Sequence, residues 1–161
     1  MRIPSSFSST RFRALLIESV RSGTIASLAI IPLGFLFRAA GLRIGHYGPK
    51  FAALFIDAPQ EWQLFAQHLL IGWISALPLL AMLMHTVAGR WPLTASSAYG
   101  AMFYVVVNSL ALPLYFGDLT PWQLGWSTIY PSLIGHIAFG VAIGLSARSF
   151  VAYSRQQRMD A

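Results

Sequence analysis

The chain has 161 residues, of which 56% are hydrophobic and only 10% charged. Ordinary soluble domains carry about 25% charged residues, so there are too few charges here to coat a water-facing surface. The net charge of +6 and the absence of cysteine narrow the field further. The basic residues gather at the ends of apolar runs and form no stripe interleaved with aromatics, which argues against nucleic acid as a partner. Without cysteine there is no thiol redox chemistry, thiolate metal site or disulfide.

A membrane-spanning helix needs about 20 largely apolar residues, because the hydrocarbon core is about 30 Å thick and each residue rises about 1.5 Å. Residues 1–14 are short, basic and Ser-rich, and read as a cytoplasmic tail. They do not read as a secretory signal, because the apolar run behind them contains Glu18 and Arg21 and continues for a full span. That first span covers residues 15–37, and Glu18 and Arg21 stand three apart, close enough to pair on one helix face. A proton-coupling role for Glu18 is the alternative.

The loop that follows, residues 38–63, holds Gly41, Gly45, Gly48, Pro49 and Pro59. Within it, residues 50–56 form an apolar stretch too short to span, suited to a short helix lying at the interface or re-entering the protein. The second span covers residues 64–88. A tight turn, Gly89-Arg90-Trp91-Pro92, leads to the third, residues 94–116, and makes the two antiparallel neighbours. Trp122, Trp126 and Tyr130 in the next loop read as an interfacial aromatic belt. The fourth span covers residues 131–150, and residues 151–161 form a second tail.

The expected fold is therefore all-α: a polytopic membrane protein with four transmembrane helices in one compact bundle, residues 15–150. With the N-terminus inside, Arg2, Arg11, Arg13, Arg21, Arg90, Arg148, Arg155 and Arg158 face the cytoplasm, against Arg38, Arg43 and Lys50 outside. This asymmetry predicts both termini inside.

Each span carries a stripe of small and polar residues at intervals of four, the spacing of one helix ridge. Helix one has Ser19, Gly23 and Ser27. Helix two has His68, Gly72 and Ala76, helix three has Ser96, Gly100, Tyr104 and Asn108, and helix four has Ser132, His136, Gly140, Gly144 and Arg148. Small residues four apart let another helix backbone approach, and lipid cannot hydrogen-bond Ser, Asn or His, so these stripes belong inside a bundle. The shared phrase His-x3-small-x3-small suggests a parallel internal duplication of helix pairs, with Pro32 answering Pro113.

His68 and His136 each lie about 8 Å inside the outer start of their helix, and Asn108 about 12 Å from the outer end of its own. The three residues, with Tyr104 beside them, are the candidate polar cluster. A small carrier or channel would use such a cluster to line a path. Structural hydrogen bonding is the plainer reading of each residue, including His85 near the inner end of helix two. A third reading is a b-type haem ligated by His68 and His136. Two histidines and one amide are too few for a metal site, so no metal is expected. No phosphate loop, metallohydrolase helix or nucleophile elbow is present, so no catalytic residue is assigned and a non-enzymatic role is expected. The expected partners are the lipid bilayer and either further copies of the chain or another membrane protein.

Ser109-Leu110-Ala111-Leu112-Pro113-Leu114, then Leu119-Thr120-Pro121, then Trp122 or Trp126, then Ile134-Gly135-His136 follow one another in an order that resembles the YagU family of small bacterial inner-membrane proteins. The resemblance covers about residues 105–147, with a weaker echo at Gln67-His68 and Gly72, and does not reach the first 60 residues. It implies a bacterial inner-membrane location and an accessory role in stress or acid tolerance, and it brings no catalytic residues with it.

Overall fold

The structure is a computed structural model that describes residues 9–42 and 44–160. Arg2, the rest of residues 1–8, and Arg43 lie outside the described residues. Among those described there is no strand. Four helical segments are long and apolar enough to cross a membrane: Arg11–Ala39, Glu61–His85, Pro92–Phe116 and Trp126–Ser146. The chain is a multi-pass membrane protein.

The first segment is α1 (Ser9–Ala29) running into α2 (Ile31–Ala39). The break at Ile30 comes from Pro32, whose missing N–H leaves the turn before it without a bond. The helix therefore starts within the stretch read as a tail, at Ser9 rather than near residue 15. Next comes α3 (Tyr47–Ala52), which enters after Gly45 in a left-handed conformation at φ 73°. The short helix expected over residues 50–56 is thus shifted toward the N-terminus, and Ala53 onward is turn. The Gln67 side chain on α4 donates to the Gly48 carbonyl at 2.9 Å and pins α3 against the bundle.

The second segment, α4 (Glu61–His85), opens with a reciprocal cap between Gln60 and Gln63. A short 3-10 turn, Val87–Arg90, leads to α5 (Pro92–Phe103), where Pro92 takes the first turn. The third span then changes pitch. Residues Tyr104–Ala111 form a π-helix before α6 (Leu112–Phe116). Pro113 brings no N–H to this turn, and Leu112 donates to Val107, five residues back. After α7 (Pro121–Leu124), the fourth span is α8 (Trp126–Ser146), longer at its start than expected and ending before residue 150. The last helix, α9 (Arg148–Met159), is separate. Val151 buries against the core, and Arg155 donates to the Leu83 carbonyl at 3.2 Å and to that of Thr86. The expected free tail is therefore a helix that covers the carbonyl-rich end of α4.

The bundle consists of two antiparallel pairs. α1 packs along α4, α5 packs along α8, and α1 against α8 joins the pairs. All four small-residue stripes face these seams. An added Cβ on Gly23 would lie 2.7 Å from the Gly72 carbonyl oxygen, and one on Gly72 would run into Ser27. In the other pair, a Cβ on Gly100 would collide with the His136 carbonyl, one on Gly140 with the Ser96 carbonyl, and one on Gly144 with the Ser96 hydroxyl. Ala76, Ser27, Ser96 and Tyr104 are fully buried. The outer surface is the reverse of a soluble protein's: Ile74 is 63% exposed and Leu114 76%. Such surfaces are stable in lipid and costly in water. Trp62 and Trp126 stand exposed at one end of the bundle and Trp91 at the other, so the belt has two girdles.

The glycines should therefore divide by position. Gly100→Ala places its methyl on backbone and should destabilise the detergent-solubilised protein by about 1–3 kcal/mol. Gly34→Ala, where nothing lies within 4 Å, should be neutral or stabilising by up to about 1 kcal/mol. Denaturant titration followed by circular dichroism measures both, and equal losses would contradict the seam.

Candidate functional site

The residues of the expected polar cluster fall in two places. His68 stands in the first seam, its Nε2 3.2 Å from the Ser27 carbonyl oxygen. His136 stands in the second, its Nδ1 2.7 Å from the Ser132 carbonyl oxygen. Its ring stacks on Phe103 at 5.9 Å and lies 5.7 Å from the ring of Tyr104. The structure thus brings His136 and Tyr104 together and gives His68 a partner elsewhere. Each imidazole engages one ring nitrogen, His68 across the first seam and His136 within its own helix. Among the described residues, no three His, Cys, Asp or Glu side chains converge for a metal ion.

Glu18 is nearly buried, with its side chain 9% exposed, and is fully engaged. Arg21 donates to its two oxygens at 2.9 and 2.6 Å, and the Ser22 hydroxyl donates at 2.7 Å. Arg21 also donates to the Ser146 carbonyl at 2.7 Å, at the last residue of α8. An arginine at a helix C-terminus meets the negative end of the helix dipole. The expected Glu18–Arg21 pair is therefore also a brace between the two helix pairs, and a carboxylate this well bonded has its structural role accounted for.

Asn108 leads to a part of the molecule that the spacing arguments do not single out. It lies on the π-helix and lines a cavity of about 280 Å³ at the end of the bundle opposite α9. Ser132 and Thr128 on α8 line the same cavity, and His46, Tyr47 and Lys50 close it from the first long loop. Asp118, Leu119 and Leu124 close it from the other loop.

At its mouth, Lys50 donates to both carboxylate oxygens of Asp118 at 2.6 Å. His46 Nε2 is 3.6 Å from Asp118. The Tyr47 ring stacks on Phe116 at 6.0 Å, and the Lys50 ammonium lies 5.8 Å from the centre of the same ring. Deeper in, the side chains of Asn108, Thr128 and Ser132 have no hydrogen-bond partner among the described residues. Behind this floor, Tyr104 is fully buried with its hydroxyl unpartnered, one helical turn from Asn108. Sequence reasoning missed the contact between Lys50, on the short helix α3, and Asp118, 68 residues away in the loop after α6. The signal for it was two isolated opposite charges at the same end of the bundle.

No family model, curated protein or solved structure matches this chain.

The Lys50 ammonium holds the Asp118 carboxyl below the usual carboxylate range, against a smaller opposing effect of desolvation. A depressed carboxylate pKa contributes stability above the ordinary aspartate range near pH 4, and this is lost as pH falls through the depressed value. Wild type and Asp118→Asn should accordingly differ in protection of the α3 amides at about pH 6 and converge as pH falls below the ordinary aspartate range. Hydrogen exchange resolved to residues 44–60 checks this, and a difference that persists at the lowest pH would refute the assignment.

Proposed function

We propose that the chain is a non-enzymatic accessory or scaffold protein of a bacterial cytoplasmic membrane, with both termini in the cytoplasm. The observation that carries the reading is the backbone-to-backbone contact of both helix pairs at Gly23/Gly72 and Gly100/Gly140. A carrier must open and close a path between its helices. Here the pairs touch through main chain and the Arg21–Ser146 contact ties them together, which suits a fixed body. The arginine excess on one side and the resemblance of residues 105–147 to the YagU family support the location and a role under acid or envelope stress.

A cysteine-free chain offers a direct test. A Cβ built on Gly72 lies 3.6 Å from that of Ser27, within the span of a disulfide. The oxidised Ser27→Cys/Gly72→Cys protein should support survival of a deletion strain under acid challenge as well as wild type does. Survival lost on oxidation and regained on reduction would show that the seam must open, and would favour the carrier reading. For orientation, Asp57→Cys should react with an impermeant maleimide on intact cells, and Gln157→Cys only after lysis. The reverse pattern would invert the topology.

A further inference from the structure

We propose that the cavity between Lys50, Asp118, Asn108, Thr128 and Ser132 is a binding site for a small zwitterion, a molecule carrying an ammonium and an anionic oxyacid group a few ångströms apart. This goes beyond the scaffold reading and does not depend on it.

Size comes first. A cavity of about 150 Å³ accommodates benzene, and this one, at about 280 Å³, is nearly twice as large. Charge comes next. The mouth holds one cation and one anion in mutual contact, Lys50 and Asp118, with side chains 37% and 24% exposed. A ligand with one charge gains from one partner and is repelled by the other. A ligand with both charges lies antiparallel to the pair and makes a charge-assisted hydrogen bond at each end. His46, 3.6 Å from Asp118 and more than half exposed, offers a further donor on the same rim.

The floor supplies the third argument. Asn108, Thr128 and Ser132 are half-buried and present amide and hydroxyl groups with no partner among the described residues, so their hydrogen-bonding capacity is open to whatever enters the cavity. Ligand sites characteristically combine apolar walls with a few convergent polar groups, and Leu124 and Leu119 provide the walls. Asn108 reaches this space from the π-helix, and such pitch changes recur at functional sites.

Two sources share this chemistry: the phosphoethanolamine headgroup of a lipid and a free amino acid. Leu124→Cys places the only thiol of the chain on the cavity wall. The full-length variant is reconstituted in nanodiscs of phosphatidylglycerol alone, and its alkylation by N-ethylmaleimide is timed. Glycerophosphoethanolamine or serine, at about ten times its dissociation constant, should slow alkylation about tenfold by occupancy. Anionic glycerophosphoglycerol and neutral glycerol should not. Asn108→Leu and Lys50→Met should abolish the protection, and Lys50→Arg should retain it.

Protection by glycerophosphoethanolamine, reproduced without added solute when phosphatidylethanolamine replaces half of the lipid, assigns the site to a headgroup. Protection by serine without a lipid effect assigns it to a free solute. No slowing by any zwitterion, equal slowing by glycerol or glycerophosphoglycerol, or a thiol that is unreactive from the start would each overturn the proposal.

Discussion

The close approach of helix backbones at the glycines is the constraint on which the rest of this structure depends. In lipid there is no hydrophobic drive between helices, because the hydrocarbon around them is as apolar as their own leucines. Helices stay together through dispersion contacts and hydrogen bonds, and both demand short distances. Gly23 against Gly72, and Gly100 and Gly140 against the backbone facing them, provide those distances. With the backbones in contact, Ser19 reaches the Trp73 carbonyl and Trp73 reaches the Thr24 hydroxyl. The large apolar side chains are then left outside, where the solvent is lipid.

The link between the pairs is of a different kind. Glu18, Arg21 and Ser22 form a small polar knot whose outermost contact is the end of α8. A buried ion pair is weak evidence for stability, since desolvation offsets much of the Coulombic gain. Its value here is positional. A guanidinium has a fixed fork of donors, so with Nε and Nη2 held by Glu18, the second donation from Nη2 to Ser146 sets the height of α1 against α8.

Spans and stripes were legible in the sequence because both rest on one-dimensional regularities: run length against bilayer thickness, and intervals of four against the helical repeat. The partner of each stripe was not legible, because periodicity places a residue on a face and not against a neighbour. This is why His68 and His136, read as lying at similar depth, take partners in different seams: depth leaves the seam undetermined. The shift of α3 from residues 50–56 to Tyr47–Ala52 has a local cause, since Gly45 and Pro49 set where that helix starts. The π-helix had no periodic signature at all, and only Pro113 marked it. The cavity depends on contacts between the short helix α3 and the loop after α6, which no repeat in the sequence encodes.

The two helix pairs nevertheless obey one pattern closely enough that their difference explains the cavity. Counting four residues on from the glycine contact, α1 reaches Ser27 and α5 reaches Tyr104. Ser27 is small, so the first seam stays shut: Gly72 rests against it and His68 reaches its carbonyl. Tyr104 is large, and it fills the same place in the second seam together with the His136 ring. A tyrosine and an imidazole thus stand side by side where the first seam has a serine. One turn further out, Asn108 and Ser132 line the opening. The change to π pitch begins at Tyr104 itself. The loops that bear Lys50 and Asp118 then close over the gap and neutralise each other across it. The site is thus a consequence of where the run of small residues stops in one of two otherwise similar seams.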